Sequence, residues 1–196
     1  MQLIDYANQS FHQNIDNTRD AMAKMLDPMM QACDVLTRCF VNGNKLICSG
    51  AGAAGLTAEY MTTILTGGME IPRPALPALS LTDSQRVNSV LTADLGNAQA
   101  FVTQLNALGQ QGDVLFVISN RHHLTSMTSM VVAARERDMV VVALSAQDDQ
   151  QLISSLRDTD TCIPCGGDNH MRTHELQTLA VHGLCDLVDR KLMGPV

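Results

Sequence analysis

The sequence predicts a three-layer α/β/α fold built on a five-stranded parallel sheet and preceded by N-terminal helices. Five short apolar runs rich in β-branched residues, at 45–48, 78–81, 114–118, 140–144 and 161–163, read as strands buried on both faces. Helical patterns at 56–66, 85–91, 99–108, 125–138 and 150–156 lie between or beside them, and such alternation wraps a parallel sheet on both sides. The first forty residues carry helical periodicity and no strand signal.

In that N-terminal stretch, Leu3, Ile4, Ala7, Phe11 and Ile15 recur at three- and four-residue spacing, and Met22, Met25, Leu26, Met29, Cys33, Leu36 and Phe40 continue the pattern. Asp27-Pro28 reads as a cap followed by proline at a first helical position, which predicts two consecutive helices. Asn42-Gly43-Asn44 stops the second. The arm before Asp27 is polar on its other face and has no sheet of its own to cover, so its partner is expected on another subunit. A last helix is predicted over about 172–192, with Leu176, Leu179, Ala180, Gly183, Leu187 and Val188 on one face. The proline-rich segment 72–77 reads as a connection. With no repeat, low-complexity stretch or linker, residues 1–196 read as a single domain, with 1–42 as an arm involved in oligomerisation.

Composition narrows the function classes. At 196 residues and 45% hydrophobic content the chain can bury one sizeable core. Aromatics are only 3%, with no Trp, so Leu, Val, Ala and the twelve Met must fill it. A net charge of −7 argues against direct nucleic-acid binding, which needs a basic surface. Apolar runs such as 139–144 are too short to span a membrane. Met1-Gln2-Leu3-Ile4-Asp5 lacks the basic start of a signal peptide, and six cysteines without one imply reduced thiols in a cytoplasmic protein.

The motif with chemical content is Ser49-Gly50-Ala51-Gly52-Ala53-Ala54-Gly55, between a strand and a helix. Its G-x-G-x-x-G spacing suits a phosphate at a helix N-terminus. A dinucleotide fold also needs an acidic residue ending the next strand, about twenty positions on. Glu70 has the distance but precedes Pro72-Arg73-Pro74 with no strand ending there, so no nicotinamide or flavin cofactor is expected.

Several runs together resemble the sugar isomerase (SIS) domain. They are Asn42-Gly43-Asn44-Lys45-Leu46-Ile47-Cys48-Ser49-Gly50, Arg73-Pro74-Ala75-Leu76-Pro77-Ala78, the stretch 107–115 with Ile118-Ser119, and Leu184-Cys185-Asp186-Leu187-Val188-Asp189. Order and spacing are similar to the phosphoheptose isomerase-like subgroup, which includes the DnaA initiator-associating (DiaA) proteins. The resemblance implies a flavodoxin-like five-stranded parallel sheet, a homotetramer, and a sugar-phosphate pocket shared between subunits.

It also implies which chemistry is missing. Aldose–ketose isomerisation needs a general base beside the substrate and anchors for its phosphate. The position of the family's catalytic Glu is Ile64, that of a metal-ligating His is Tyr60, and that of an Asp is Thr57. The loop's Asn and Ser positions are Ala51 and Ala54, and the second phosphate loop is reduced to Ser119-Asn120-Arg121-His122-His123-Leu124. Asp94 and the last-helix His182 keep their places, and His174 stands for a Gln. No catalytic residue is therefore assigned, His174 and His182 being residual family positions. A ligand is expected to meet Gly50, Gly52, Ala53, Asp94, Ser119, Asn120, Arg121, His174 and His182.

Each motif has a plainer reading. His174 and His182 lie two helical turns apart and could hold a metal with a third ligand, but with Tyr60 in place of a partner ligand they are expected to be hydrogen-bonded or solvated. Cys162-Ile163-Pro164-Cys165 with His170 and His174 has too short a central spacing for a zinc finger, so one core and one loop cysteine are expected and no metal is assigned. Arg121-His122-His123 reads equally as an anion site or as a solvated loop. Thr82-Asp83 reads as a helix cap, and the Met-rich stretch 22–30 as core or subunit interface.

The leading functional expectation is a non-catalytic adaptor that binds the replication initiator DnaA and regulates initiation of chromosome replication. Leu192 and Met193, after Arg190-Lys191, are the candidate partner-binding residues. The alternatives are a carbohydrate-derivative sensor for a phosphorylated sugar or nucleotide, and a phosphoheptose isomerase with a rearranged active site.

Overall fold

The computed structural model describes residues 2–68, 72–82, 85–120, 124–146 and 149–194. The elements run α1 (Leu3–Val41), β1 (Leu46–Gly50), α2 (Ala53–Gly67), β2 (Ala78–Ser80), α3 (Gln85–Leu95), α4 (Asn97–Leu108), β3 (Val114–Ser119), α5 (Leu124–Glu136), β4 (Val140–Ser145), α6 (Gln150–Ile153), β5 (Thr161–Pro164) and α7 (His170–Met193). All five strands are parallel, in the order β2-β1-β3-β4-β5.

Strand alternation splits the core in two. Leu46, Cys48, Val114, Phe116, Ile118, Val142 and Leu144 face a layer made by α1, α2 and α7. Ile47, Leu115, Val117, Val141 and Ala143 face the other layer, where α4 and α5 supply Phe101, Leu105, Met127, Met130 and Val131. β3 and β4, with their continuous apolar runs, sit centrally and are covered on both faces.

The expected pair of N-terminal helices is a single helix of 39 residues that passes through Pro28. The proline removes one amide and crowds the carbonyl four residues back, at a cost of about 3 kcal/mol in a helix interior. Packing on both sides of it outweighs that. Met25, Met29, Ala32 and Cys33 are buried, and Met29 meets α7 where Gly183 leaves room: a methyl there would lie 3.0 Å from its terminal carbon. The helix-cap role of Thr82-Asp83 involves Asp83, which lies outside the described residues.

Two polar clusters secure the loops. At the N-terminal edge of the sheet, Asp113 accepts from the Lys45 amide (3.0 Å), Lys45 Nζ (2.5 Å) and the Gln110 amide (2.9 Å). Burial works to raise its pKa, but these bonds prevail and hold it below the ordinary carboxylate value. Before the start of β2, Arg73, its side chain fully buried, donates from Nε to Asp189 (2.6 Å) and from its two terminal nitrogens to the carbonyls of Ile64, Leu65 and Pro74. The Ile64 carbonyl also accepts from the Gly68 amide and the Leu65 carbonyl from the Leu76 amide, so the guanidinium is a second donor to each.

Removing Arg73 strands the buried Asp189 carboxylate. Arg73→Met is expected to lower stability by about 3–5 kcal/mol in urea denaturation. Adding Asp189→Leu should recover most of the loss, because the Ile64 and Leu65 carbonyls keep their backbone amide donors.

Candidate functional site

Strand order reverses beside β1, so the crevice outside the carboxyl ends of β1 and β3 is the place where this architecture takes a ligand. The glycine loop forms one wall. Gly50 passes so close to α2 that a Cβ there would lie 2.5 Å from the carbonyl of Ala54. Gly52 caps the helix at φ 60° and ψ −130°, a region closed to side-chain-bearing residues except at a cost. The first amides of α2, including that of Ala53, are left at the mouth of the crevice, while Ala51 and Ala54 bring no side-chain donors.

A cleft of about 280 Å³ opens over this loop, lined by Gly50, Gly52, Glu59, Thr82, Asn97 and Phe101 among others. Opposite the loop, Ser119 ends β3. Its carbonyl accepts from Gln177 Nε2 at 2.7 Å, and Asn120 meets His170 on α7. The hydroxyls of Ser49 and Ser119 and the amide oxygen of Gln177 are buried with no hydrogen-bond partner. Arg121, His122 and His123 lie outside the described residues, so the anion site expected of them does as well.

The other side of α2 faces α7. There Thr57 Oγ1 is 3.4 Å from His174 Nδ1, and the Tyr60 hydroxyl is 3.2 Å from His182 Nε2, with the two rings edge to face. Ile64 completes the row, 3% exposed in the core shared by α1, α2 and α7. The two predicted histidines are thus brought together on one groove, each with a hydroxyl against a ring nitrogen. Zinc does not fit this arrangement. The third member beside His174 and His182 is the Tyr60 hydroxyl, and among the described residues no three His, Cys, Asp or Glu side chains converge. The Cys162–Cys165 segment gathers no third such ligand among the described residues either.

Asp94 is exposed on α3 and does not line the cleft, so it is not brought together with the loop residues. Leu192 does not leave the core as the pattern suggests; it is half-buried against it, while Met193 beyond is 45% exposed. Glu59, Asn97, Phe101 and Gln177 are missed by sequence reasoning. Two of them had a signal: Glu59 lies seven residues after Gly52 and four after Gly55 on one helix, and Gln177 follows His174 by three.

Comparison with known proteins agrees with this geometry. The sequence profile of the SIS domain matches residues 10–146. The chain belongs to the SIS domain family. It is 31% identical over 193 residues to a phosphoheptose isomerase of Coxiella burnetii, covering 98% of this chain and 97% of that one. It is 34% identical over 190 residues to the DnaA initiator-associating protein DiaA of Cronobacter sakazakii, covering 97% of each. Among solved structures, a phosphoheptose isomerase from Francisella tularensis superposes with a TM-score of 0.92 at 29% identity, covering 97% of this chain and all of that one (100%).

The two loop glycines should respond differently to substitution. Gly50→Ala drives a methyl into backbone and is expected to cost about 3 kcal/mol. Gly52→Ala meets no atom within 4 Å and should cost about 1–2 kcal/mol from its backbone angle alone. Chemical denaturation of the two variants checks the order.

Proposed function

We propose that the chain is a non-catalytic SIS-domain adaptor that binds the replication initiator DnaA and acts in the cytoplasm as a homotetramer. The observation that carries this reading is the α2–α7 groove. The base position is Ile64, sealed in the core, and the ring nitrogen of His182 already meets Tyr60. Loss of a general base alone costs about 10²–10⁴ in rate, and here loop anchors are absent too. Relatives named for phosphoheptose isomerisation and for association with DnaA are similarly distant in sequence, so these residues favour the second kind. No helix among the described residues is long and apolar enough to cross a membrane.

The arm supports assembly. Its polar side is used within the chain: Ser10 accepts from Arg172, Asn14 donates to Glu175, and Asn17 exchanges two bonds with Asp168. Its apolar row, Leu3, Ile4, Phe11 and Ile15, is left facing out, with Phe11 74% exposed. A row of this size is satisfied by other copies of the same helix. Four copies of a weak DnaA site would then act through avidity. We assign that site to the end of α7, where Met193 is the exposed contact and Leu192 supports it from the core side.

Two measurements test this. Sedoheptulose 7-phosphate should give no product above the blank, and product formation that disappears in His182→Ala would restore the enzyme reading. Immobilised DnaA from the same organism should capture the chain, and Leu192→Ala with Met193→Ala should weaken capture at least ~10-fold without changing the mass in light scattering. Absence of any interaction between the wild-type proteins overturns the adaptor reading, whereas binding that survives the double change moves only the site.

A further inference from the structure

We infer that residues 72–77 form a rigid polyproline ridge that extends the partner-binding end of α7, and that DnaA meets this ridge with a groove lined by aromatic rings. The inference rests on the adaptor reading above and adds to it the chemistry of the partner's face.

The segment leads into β2, so it lies at the edge of the sheet opposite the crevice. In Pro72-Arg73-Pro74-Ala75-Leu76-Pro77 the three rings hold φ at about −65°, and Arg73 and Leu76, each before a proline, are biased to extended backbone. Such a chain turns once every three residues, and burial follows the same period. Arg73 and Leu76 form the inward ridge: the Arg73 side chain is fully buried and Leu76 packs on the core. Pro74 and Pro77, three residues apart, are exposed, as are Pro72 and Ala75. Two of the three ridges therefore face out, and one of them carries two prolines.

The inward ridge is fastened at several points. The Leu76 amide donates to the Leu65 carbonyl (3.0 Å), and the Pro77 carbonyl accepts from the Leu46 amide (2.9 Å). The Arg73 guanidinium holds Asp189 and the Pro74 carbonyl. The conformation is thus set before a partner arrives, so little chain has to be ordered on binding. Exposed prolines in this form are the shape that aromatic-lined grooves take up.

Position decides the occupant. Asp189, which Arg73 holds, lies four residues before Met193, about 6 Å along α7. Leu76 and Leu192 pack against the same core cluster. The ridge is therefore continuous with the exposed Met193, and a partner docked on the end of α7 covers both.

The test is capture of the full chain by immobilised DnaA from the same organism. Pro74→Ala with Pro77→Ala should weaken capture by about tenfold or more without changing the mass in light scattering. Decaproline, which offers the same helix and nothing else of this chain, should compete for wild-type capture when in large excess. Ala75→Glu keeps every proline and sets a charge on the second exposed ridge. It should weaken capture as well, and it serves as the second variant should the proline double change fail to fold. Capture unchanged in both variants, or undiminished by decaproline, overturns the ridge; if Leu192→Ala with Met193→Ala still weakens capture, the adaptor reading stands without it. A changed mass in the proline variant also overturns the inference, the segment then being a contact between copies. Absence of any wild-type capture overturns the adaptor reading and the ridge with it.

Discussion

The site depends on how α2 is clamped at its two ends. At the start, the backbone of Gly50 touches the first turn so closely that no side chain could be tolerated there. At the end, the buried Arg73 guanidinium takes the carbonyls of Ile64 and Leu65 and joins them to Asp189 near the end of α7. The helix can then neither slide along β1 nor tilt away from α7 without breaking one clamp. Its two stripes are fixed as a result, one toward the glycine-loop cleft and one toward the histidine groove. A buried ion pair contributes little by comparison with an apolar substitute, but a guanidinium can satisfy a carboxylate and helix-terminal carbonyls together, and a hydrocarbon cannot.

The same rigidity explains why the substitutions along α2 act as a set. With the helix held in place, Ile64 stays turned inward, and burying a carboxylate at that position would carry a large desolvation penalty. Tyr60 and Thr57 lie one turn apart on the same stripe and bring hydroxyls to His182 and His174. The ring nitrogens in the groove are paired with the hydroxyls of Thr57 and Tyr60. The opposite stripe of α2 carries Gly52, Gly55 and Glu59, so the two sides of one helix offer different chemistry.

The layered fold was legible because strands buried on both faces read as unbroken apolar runs, and all five were found close to their predicted bounds. The helical arm was legible in its periodicity but not in its continuity. Asp27-Pro28 is a sound local signal for a break, and it was overridden by packing at Met29 against Gly183, two positions far apart in sequence. In the site, Gly50, Gly52, Ser119, His174 and His182 were singled out because they stand in recognisable motifs; the glycines lie on the cleft and the histidines on the α2–α7 groove. Asn97 has no such marker, since its place follows from where α4 begins over the sheet. Leu192 follows the charged pair at 190 and 191 and is still half-buried, because the last turn of α7 remains packed on the core.

The outward-facing arm links these features to one another. Its inward polar contacts to Arg172, Glu175 and Asp168 fasten it to the first turn of α7 and the loop before it. That turn also carries His170, which holds Asn120, and lies one turn before Gln177, which holds the Ser119 carbonyl. The arm, the start of α7 and the end of β3 are thus joined by one chain of side-chain contacts, so a change at the outward row of α1 reaches the crevice only through the first two turns of α7.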